Sequence, residues 1–271
     1  MGNGQKMKSE FSFIFITQND PFYVRCFFEE FFRIYPDSKD IQAVVIQNPL
    51  GKRSFFALLK QMYTFYGLID FFRMGLRYFK TKSLNKLSYV YPKSEWFGLK
   101  QLCQAQNITV LYQNGLHQPE FLDRLRRQNL DLIISVAAPT IFKQELIELP
   151  RLGCINIHHA PLPRYRGMMP NFWQLYHGEK TLGITIHKIN PKIDEGEIIL
   201  QRQVLINPSE SLDALIKRTK RLGAHYMLEA IEMIRNGRVR YKINRPEEGS
   251  YFSFPKREDV RKFRGMGYRL L

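Results

Sequence analysis

The stretch Asn156-Ile-His-His-Ala-Pro-Leu-Pro-Arg-Tyr-Arg-Gly167 decides the fold, because an apolar strand ends there on polar residues. The apolar run 130–136 leads towards this stretch, and the short run 153–157 enters it. Side chains alternate across a strand, so Asn156 and His158 point to one face. Two prolines and a glycine then take the chain into a loop. This pattern is typical of a functional site at the strand ends of an open α/β sheet. The equally weighted alternative is a strand end at which His158 is hydrogen-bonded and inert.

A second polar position follows between two further predicted strands, residues 183–190 and 198–204. The turn that joins them, Pro-Lys-Ile-Asp-Glu-Gly at 191–196, places Asp194 thirty-six residues after His158. A carboxylate in such a turn can reach the end of a neighbouring strand. We therefore consider Asp194 together with the first stretch.

Asn-x-His, a Pro/Arg/Gly loop and then Asp-x-Gly, in this order and spacing, resemble the folate-dependent formyltransferase family. That family includes methionyl-tRNA, glycinamide-ribonucleotide and nucleotide-sugar formyltransferases, and the resemblance covers residues 131–204. It implies an α/β fold with a Rossmann-like, mostly parallel sheet and flanking helices. It also implies that Asn156, His158 and Asp194 form the catalytic set, and that the cofactor is 10-formyltetrahydrofolate.

The resemblance further implies which segments flank the pterin of the folate. These are the turn after the central strand and the loop of the catalytic Asp, and the matching residues here are Pro139, Thr140, Ile141, Phe142, Ile193 and Asp194. An ordinary strand-to-helix turn is the alternative for the first segment. For the acceptor we select Arg164 and Arg166, because guanidinium groups can meet a phosphate, with a plain structural role weighted equally.

Formyl transfer to an amine passes through a tetrahedral intermediate with negative charge on the former formyl oxygen. We expect Asn156 and His158 to stabilise that charge, each donor contributing about 3 kcal/mol. We expect Asp194 to raise the pKa of His158 and to position a proton. The histidines form no metal-ligand pattern, so no metal is predicted. His159 faces away from His158, and His187 is interpreted as structural, as are His117, His177 and His225.

Composition sets outer limits on the function. The chain has 271 residues, 44% of them hydrophobic, and a net charge of +16. The charge implies anionic partners: nucleotides, folate polyglutamates, nucleic acid or an anionic membrane surface. Three scattered cysteines without a CxxC pair argue against a structural zinc site or a disulfide framework. The first ten residues lack the apolar core of a signal peptide, and we predict a cytoplasmic protein.

Strands and helices alternate along the chain, which favours βαβ units. Strands are predicted at 10–17, 41–46, 108–112 and 130–136, and helices at 22–34, 94–105, 118–126 and 170–178. A long helix begins at a Ser209 or Ser211 cap and ends at 236–237, with Lys217, Arg218, Lys220 and Arg221 on a solvated face. Residues 1–237 are predicted to form the catalytic domain and residues 238–271 a short C-terminal extension.

Residues 52–86, the basic aromatic segment, form an insertion in that domain with eight Lys or Arg against one Asp. Phe, Tyr, Leu and Met crowd several helical faces, and the longest uncharged run, 61–69, is too short to span a bilayer. The favoured interpretation is helices packed on the sheet with lysines reaching outward. The alternatives are an interfacial anchor on a membrane, and a surface for an anionic substrate or a partner subunit, including a homodimer. Gly67 and Gly75 predict a break.

The acceptor is inferred by elimination. Residues 18–22 do not match the phosphate loop of glycinamide-ribonucleotide formyltransferases, and 34 residues after 237 are too few for the barrel of methionyl-tRNA formyltransferases. A predicted first strand near residue 11 leaves no room for the regulatory domain of formyltetrahydrofolate hydrolases. A nucleotide-linked amino sugar, as in stand-alone sugar N-formyltransferases, is therefore the predicted acceptor. The alternatives are a methionyl-tRNA formyltransferase-like enzyme without the barrel, as a minority view, and a formyltetrahydrofolate hydrolase. A non-catalytic module that binds nucleotide or membrane is the rival from another class.

Overall fold

The computed structural model describes residues 11–48 and 54–271. Residues 1–10 and residues 49–51, which follow the predicted second strand, lie outside the described residues. So do residues 52 and 53, the first two of the basic aromatic segment.

Seven strands form one sheet in the order β3-β2-β1-β4-β5-β7-β8, and two short strands pair separately. The first five of the large sheet run parallel, whereas β7 is antiparallel to both β5 and β8. The strands are β1 Phe13–Gln18, β2 Ile41–Gln47, β3 Val110–Tyr112, β4 Leu132–Val136, β5 Cys154–His158, β6 Arg166–Gly167, β7 Thr181–Lys188, β8 Ile198–Leu205 and β9 Tyr251–Phe252. The predicted mostly parallel α/β sheet is confirmed.

Helices cover both faces of the sheet, as parallel strands with crossover connections require. The helices of the described residues are α1 Val24–Ile34, α2 Phe55–Leu87, α3 Leu99–Ala105, α4 Pro119–Arg127, α5 Gln144–Ile147, α6 Pro170–Tyr176, α7 Leu212–Arg235 and α8 Arg257–Gly265. The predicted helix 94–105 is shorter than expected, because residues 94–96 form a separate 3₁₀ turn and Phe97 is extended. The predicted Ser211 cap of α7 is confirmed, since its Oγ accepts from Ala214 N.

Two apolar cores lie on opposite faces of the sheet. On one face, the phenylalanines of α1 pack with α7 and the sheet, and Phe27, Phe28 and Phe31 are fully buried. On the other face, α4 and α5 cover the alternate side chains of β1, β2 and β4. Strand β1 carries apolar side chains to both cores, which explains its continuous aromatic and aliphatic sequence.

A third apolar cluster joins α6 and the start of α7 to the C-terminal residues. Phe263 of α8 stacks on Phe172 of α6 with ring centroids 4.5 Å apart, and Leu270 is also buried there. Trp173 is 7% exposed and belongs to the same cluster. The residues after 237 therefore pack against α6 and α7, and the boundary at 237 stays a prediction.

Helix α2 departs most from expectation. It runs over 33 residues with non-helical backbone at Gly67, φ 68° and ψ 178°, so the predicted break occurs there and not at Gly75. The favoured interpretation of residues 52–86, helices packed on the sheet, is wrong for the described part of that segment. Only Phe65 and Tyr66 are buried in α2, and both pack in the third cluster and not in the two cores on the faces of the sheet. Within residues 11–48 and 54–271, no helix is both long and apolar enough to cross a membrane.

The predicted solvated face of α7 also needs a correction. Lys217 and Arg218 pair with Asp213 and Glu210 near the surface, but Lys220 is 9% exposed and therefore buried. Burial lowers the pKa of the Lys220 amine to about 8. The sequence groups Lys220 with its charged neighbours, but Lys220 belongs to the buried residues of α7.

Candidate active site

The end of strand β5 and the antiparallel strand β7 bring two polar side chains together. Asn156 lies opposite His187 in the register of the two strands, and Asn156 Nδ2 is 3.2 Å from His187 Nε2. His187 Nδ1 is 2.7 Å from the carbonyl oxygen of Lys188, which can only accept. In the neutral ring, Nδ1 therefore carries the proton, and Nε2 accepts a hydrogen bond from Asn156. This leaves the Asn156 amide one N–H for another partner.

Asp194 reaches the same place from the turn between β7 and β8. Its backbone has φ 55°, a left-handed conformation that Asp adopts more readily than most residues. Its Oδ2 accepts from Gly167 N at 2.9 Å, and its carbonyl accepts from Asn244 Nδ2 at 2.9 Å. The Asp-x-Gly pattern is explained by Gly196, since a Cβ there would overlap the carbonyl oxygen of Lys188.

His158 is held between two acceptors. Its Nε2 is 2.8 Å from the carbonyl of Tyr165, which makes Nε2 the donor, and its Nδ1 is 3.5 Å from Asp194 Oδ2. His187 Nε2 is 3.6 Å from the other oxygen, Oδ1 of Asp194. The carboxylate thus lies between two imidazoles, and the neutral His158 ring turns an unprotonated nitrogen towards it. That nitrogen, Nδ1, is where an arriving proton is stabilised.

Burial sets the charges of this group. It lowers the pKa of His158 below its ordinary 6.5, and it outweighs the Asp194 carboxylate, which alone would raise it. Our expectation that Asp194 gives His158 a raised pKa is therefore wrong in its net direction. For Asp194, burial alone would raise the pKa, but His158, His187 and the Gly167 N–H hold it well below its usual range. At neutral pH the group is an ionised Asp194 beside a neutral His158.

Four of the six predicted folate-binding residues, Thr140, Ile141, Phe142 and Asp194, border the same cleft. A cleft of about 120 Å³ is lined by Ser135 of β4, by residues 138 and 140–142, and by Asn156, His187, Ile189, Asn190, Lys192 and Asp194. Thr140, Ile141 and Phe142 are thus brought next to Asn156 and Asp194. Gln47 Nε2 donates to Thr140 Oγ1 at 2.9 Å, and the carbonyl of Ile141 lies 3.0 Å from His117 Nε2. Pro139 and Ile193 are exposed and lie outside this lining.

The two arginines selected for the acceptor already have carboxylate partners. Arg164 pairs with Glu179 at 2.9 Å, and its side chain is half exposed. Arg166, whose side chain is mostly enclosed, pairs with Glu195, the residue after Asp194, at 2.5 Å. Arg166 therefore ties the Pro/Arg/Gly loop to the turn of Asp194. These contacts suit a positioning role, and their part in acceptor binding stays a prediction.

Two contributors to the site are missed by sequence reasoning. From the sequence, His187 is interpreted as a structural residue, but its ring contacts both Asn156 and Asp194 and lines the cleft. The register of two antiparallel strands, which periodicity does not contain, puts it there. Asn244 comes from the C-terminal residues and holds the Asp194 turn through two carbonyls. No local pattern marks it. His159 faces away from the cleft towards Gly223 of α7, as predicted.

The arrangement can bind a partly negative oxygen and accept a proton. Asn156 lines the cleft and keeps one amide N–H for another partner, and the ionised Asp194 carboxylate can stabilise a proton on His158 Nδ1. The ionisable pair is close together, as an enzyme requires and as the non-catalytic alternative does not. Among the side chains that the structure describes, no group of three or more His, Cys, Asp or Glu could hold a metal ion.

The comparisons with known proteins identify the family of the chain. The family model for formyl transferase matches residues 81–231, more than half of the chain. The methionyl-tRNA formyltransferase of Syntrophus aciditrophicus (strain SB) is 35% identical over 161 residues, which are 59% of this chain and 52% of that protein. The chain thus spans about half the length of the curated relatives it matches.

Solved structures share the fold at lower identity. WlaRD, a sugar 3N-formyl transferase solved in the presence of dTDP and 5-N-formyl-THF, matches with TM-score 0.56 and 19% identity over 90% of this chain and 70% of its own. The phosphoribosylglycinamide formyltransferase of Anaplasma phagocytophilum matches with TM-score 0.59 and 13% identity over 90% and 99%. On the match of the family model, the chain belongs to the formyl transferase family.

Proposed function

We propose that this protein transfers a formyl group from 10-formyltetrahydrofolate to the primary amine of a small molecule, and that the acceptor is a nucleotide-linked amino sugar. The observation that carries the proposal is one cleft lined by both Asn156 and Asp194, the carboxylate that lies 3.5 Å from His158 Nδ1. Membership of the family supplies the reaction class.

The residues of the cleft fit a folate. Thr140, Ile141 and Phe142 form one side, and Ile141 is 57% exposed beside the polar group of Asn156. An exposed aliphatic side chain next to amide and backbone polar groups suits a flat ring with a hydrogen-bonding edge. Ile193, 41% exposed next to Asp194, offers a second apolar contact. When bound, the folate supplies the formyl group as the electrophile.

Asn156 is the residue that would meet the formyl oxygen. Its amide is fixed by the hydrogen bond to His187, so the remaining N–H is aimed without a cost in reorganisation. His158 has both ring nitrogens engaged, one with Tyr165 O and the other towards Asp194. We therefore assign His158 to the proton and Asn156 to the oxygen, a narrower division than the sequence alone suggested.

The proton that the attacking amine loses would pass to His158 Nδ1. Neutral His158 can accept it, because burial lowers its pKa and keeps the ring uncharged near neutral pH. Asp194, 3.5 Å away and ionised, then stabilises the imidazolium, and the Tyr165 carbonyl keeps the ring in this tautomer. Asp194 borders the cleft, so a water molecule beside Asp194 would carry the proton from the amine to His158.

A small-molecule acceptor is supported by the likeness to WlaRD, a sugar 3N-formyl transferase whose structure was solved in the presence of dTDP. The net charge of +16 suits a phosphorylated acceptor. Methionyl-tRNA is the second candidate, because the curated relatives at 35% identity are methionyl-tRNA formyltransferases and the same charge suits a nucleic acid.

Turnover of 10-formyltetrahydrofolate, followed by absorbance, tests the proposal against a panel of amines. The panel holds nucleotide-linked amino sugars, initiator methionyl-tRNA, glycinamide ribonucleotide and a control without amine. We expect turnover with an amino sugar only. Turnover with the tRNA alone would select the second candidate, and equal turnover without amine would identify a hydrolase. Folate binding without turnover in any arm would contradict the enzyme proposal.

A further inference from the structure

Helix α2 carries a continuous apolar stripe that faces away from the protein. After the break at Gly67, four side chains follow at spacings of three, four and three residues, so they share one helix face. They are Ile69, Phe72, Leu76 and Phe79, and they are 68%, 66%, 74% and 70% exposed. Four large apolar side chains exposed side by side on one helix face are unusual on a globular protein and mark an interaction site.

The opposite face of the same helix is attached to the protein. Phe71 and Met74 pack on the third apolar cluster, and Arg77 pairs with Asp213 of α7 at 2.8 Å. Asp70 forms ion pairs with Arg73 of the same helix and with Arg264 of α8. The exposed stripe is therefore held in a fixed orientation by contacts on the other side. It is not the exposed face of a loosely attached segment.

Positive charges border the stripe on both sides. Arg73 and Lys80 lie along one edge of it, and Lys82 and Lys86 lie along the other. In residues 68–87 there are five Lys or Arg against one Asp. Lys80 and Lys86 are exposed and make no ion pair within the described part of the chain. Tyr89, Val90 and Tyr91 continue the exposed apolar surface beyond the helix end.

We propose that this face of α2 docks on an anionic lipid surface. The helix would lie in the plane of the membrane, with the stripe among the upper acyl chains and the flanking lysines at the headgroups. Tyrosines at its end suit the membrane–water boundary. A second copy of the chain fits less well, because a two-fold contact would place these positive charges against their own images. Formyl transfer is not part of this inference.

Co-sedimentation with lipid vesicles, in the absence of folate and amine, tests the inference. The probes are vesicles of phosphatidylcholine alone and vesicles with one part phosphatidylglycerol to two parts phosphatidylcholine. We expect the full chain to bind the anionic vesicles at low salt and to dissociate as salt is raised. A protein that stays in the supernatant with anionic vesicles at low salt would overturn the proposal.

Paired variants locate the contact. The double variant Phe72→Ser/Leu76→Ser should lower vesicle binding about tenfold or more. Leu205→Ser is its control, because Leu205 is 75% exposed at the sheet edge in β8, and it should change nothing. Lys80→Glu/Lys86→Glu should reduce binding to the level seen with neutral vesicles. Lys39→Glu/Lys100→Glu carries the same charge change at exposed positions outside α2 and should retain most of the binding.

Equal losses in the two charge variants would show attraction by net charge alone and would contradict the site. Light scattering after size-exclusion chromatography tests whether a second copy of the chain binds the stripe instead. If Phe72→Ser/Leu76→Ser converts a dimer to a monomer and leaves vesicle binding unchanged, a second copy covers the stripe and the lipid proposal fails. Circular dichroism confirms that each variant is folded.

Discussion

The cleft at the end of β5 and the exposed face of α2 lie at opposite extremes of packing. In the cleft, groups from β5, β7, the Pro/Arg/Gly loop and the C-terminal residues converge on Asp194, with contacts between 2.9 and 3.6 Å. On α2, four large apolar side chains touch little of the protein. Both regions are unusual for a folded domain, the first in its buried charge and the second in its exposed apolar area.

The difference separates two kinds of functional surface. A site that moves a proton needs groups placed within a fraction of an ångström, so many elements constrain each one. A surface that binds a fluid membrane needs only area and charge of the right sign, so one helix suffices. Substitutions should therefore cause large losses of rate in the cleft and small changes in the free energy of unfolding on the exposed face of α2.

The largest effect is expected for Asn156→Ala. Loss of the amide that meets the formyl oxygen should lower kcat by about 10²- to 10³-fold. KM should change little, because the interaction strengthens as charge develops. Steady-state turnover with the amine identified by the panel measures it. Asn236→Ala, at the end of α7, is the control and should retain full activity. An Asn156→Ala enzyme with near wild-type kcat would remove the amide from the mechanism.

Gly196→Ala should come next. The added methyl would overlap the carbonyl oxygen of Lys188, so the Asp194 turn must move by about 1 Å or more, a displacement that costs about 10²-fold in rate. Turnover of the folded variant, with folding checked by circular dichroism, measures the loss. Gly75→Ala is the matched control in α2, since a Cβ there has no neighbour within 4 Å. Full activity of Gly196→Ala would show that the turn need not be fixed.

The pH dependence of the reaction should report His158. Because burial lowers the pKa of His158 and the neutral ring accepts the proton, kcat/KM should fall as pH drops through a value below 6.5. Asp194 raises that pKa, so Asp194→Asn should move the acidic limb to lower pH and reduce the maximal rate. A pH–rate profile of both enzymes is the measurement. An unshifted limb in Asp194→Asn would assign the titration to another group.

Gly67→Ala should destabilise the fold moderately. With φ 68° and ψ 178°, Gly67 occupies backbone space that is nearly restricted to glycine, and alanine should cost about 1–3 kcal/mol. Gly75→Ala, inside the regular part of α2, should instead stabilise by about 0.5–1 kcal/mol. Urea unfolding of the two variants gives the free energies. The same sign for both would mean that the break is not part of the native helix.

The smallest effect is expected for Phe72→Ala. Phe72 is 66% exposed, so its removal should change the free energy of unfolding by no more than about 0.5 kcal/mol. Turnover in solution should be unchanged. Urea unfolding and a turnover assay without vesicles check both statements. A loss of about 3 kcal/mol, the value for a buried phenylalanine, would mean that the stripe is covered in the isolated protein.

Several features can be predicted from the sequence because they depend on neighbours along the chain. Alternation in strands fixes which side chains share a face, so it groups Asn156 with His158 and separates His159 from them. The break at Gly67, the Ser211 cap and the buried face of α1 follow from local backbone and helical spacing. The resemblance of motif order then connects Asp194 to His158, and the two side chains are 3.5 Å apart.

Tertiary structure alone decided what each face meets. The phenylalanines of α1 and α2 have similar local sequence, yet α1 lies between the sheet and α7, whereas α2 leaves its stripe exposed. Strand register brought His187 to Asp194, and the path of the C-terminal residues brought Asn244. Enclosure also decided the net pKa direction of His158 and the burial of Lys220. Periodicity defines a face, but burial and charge depend on contacts between residues distant in sequence.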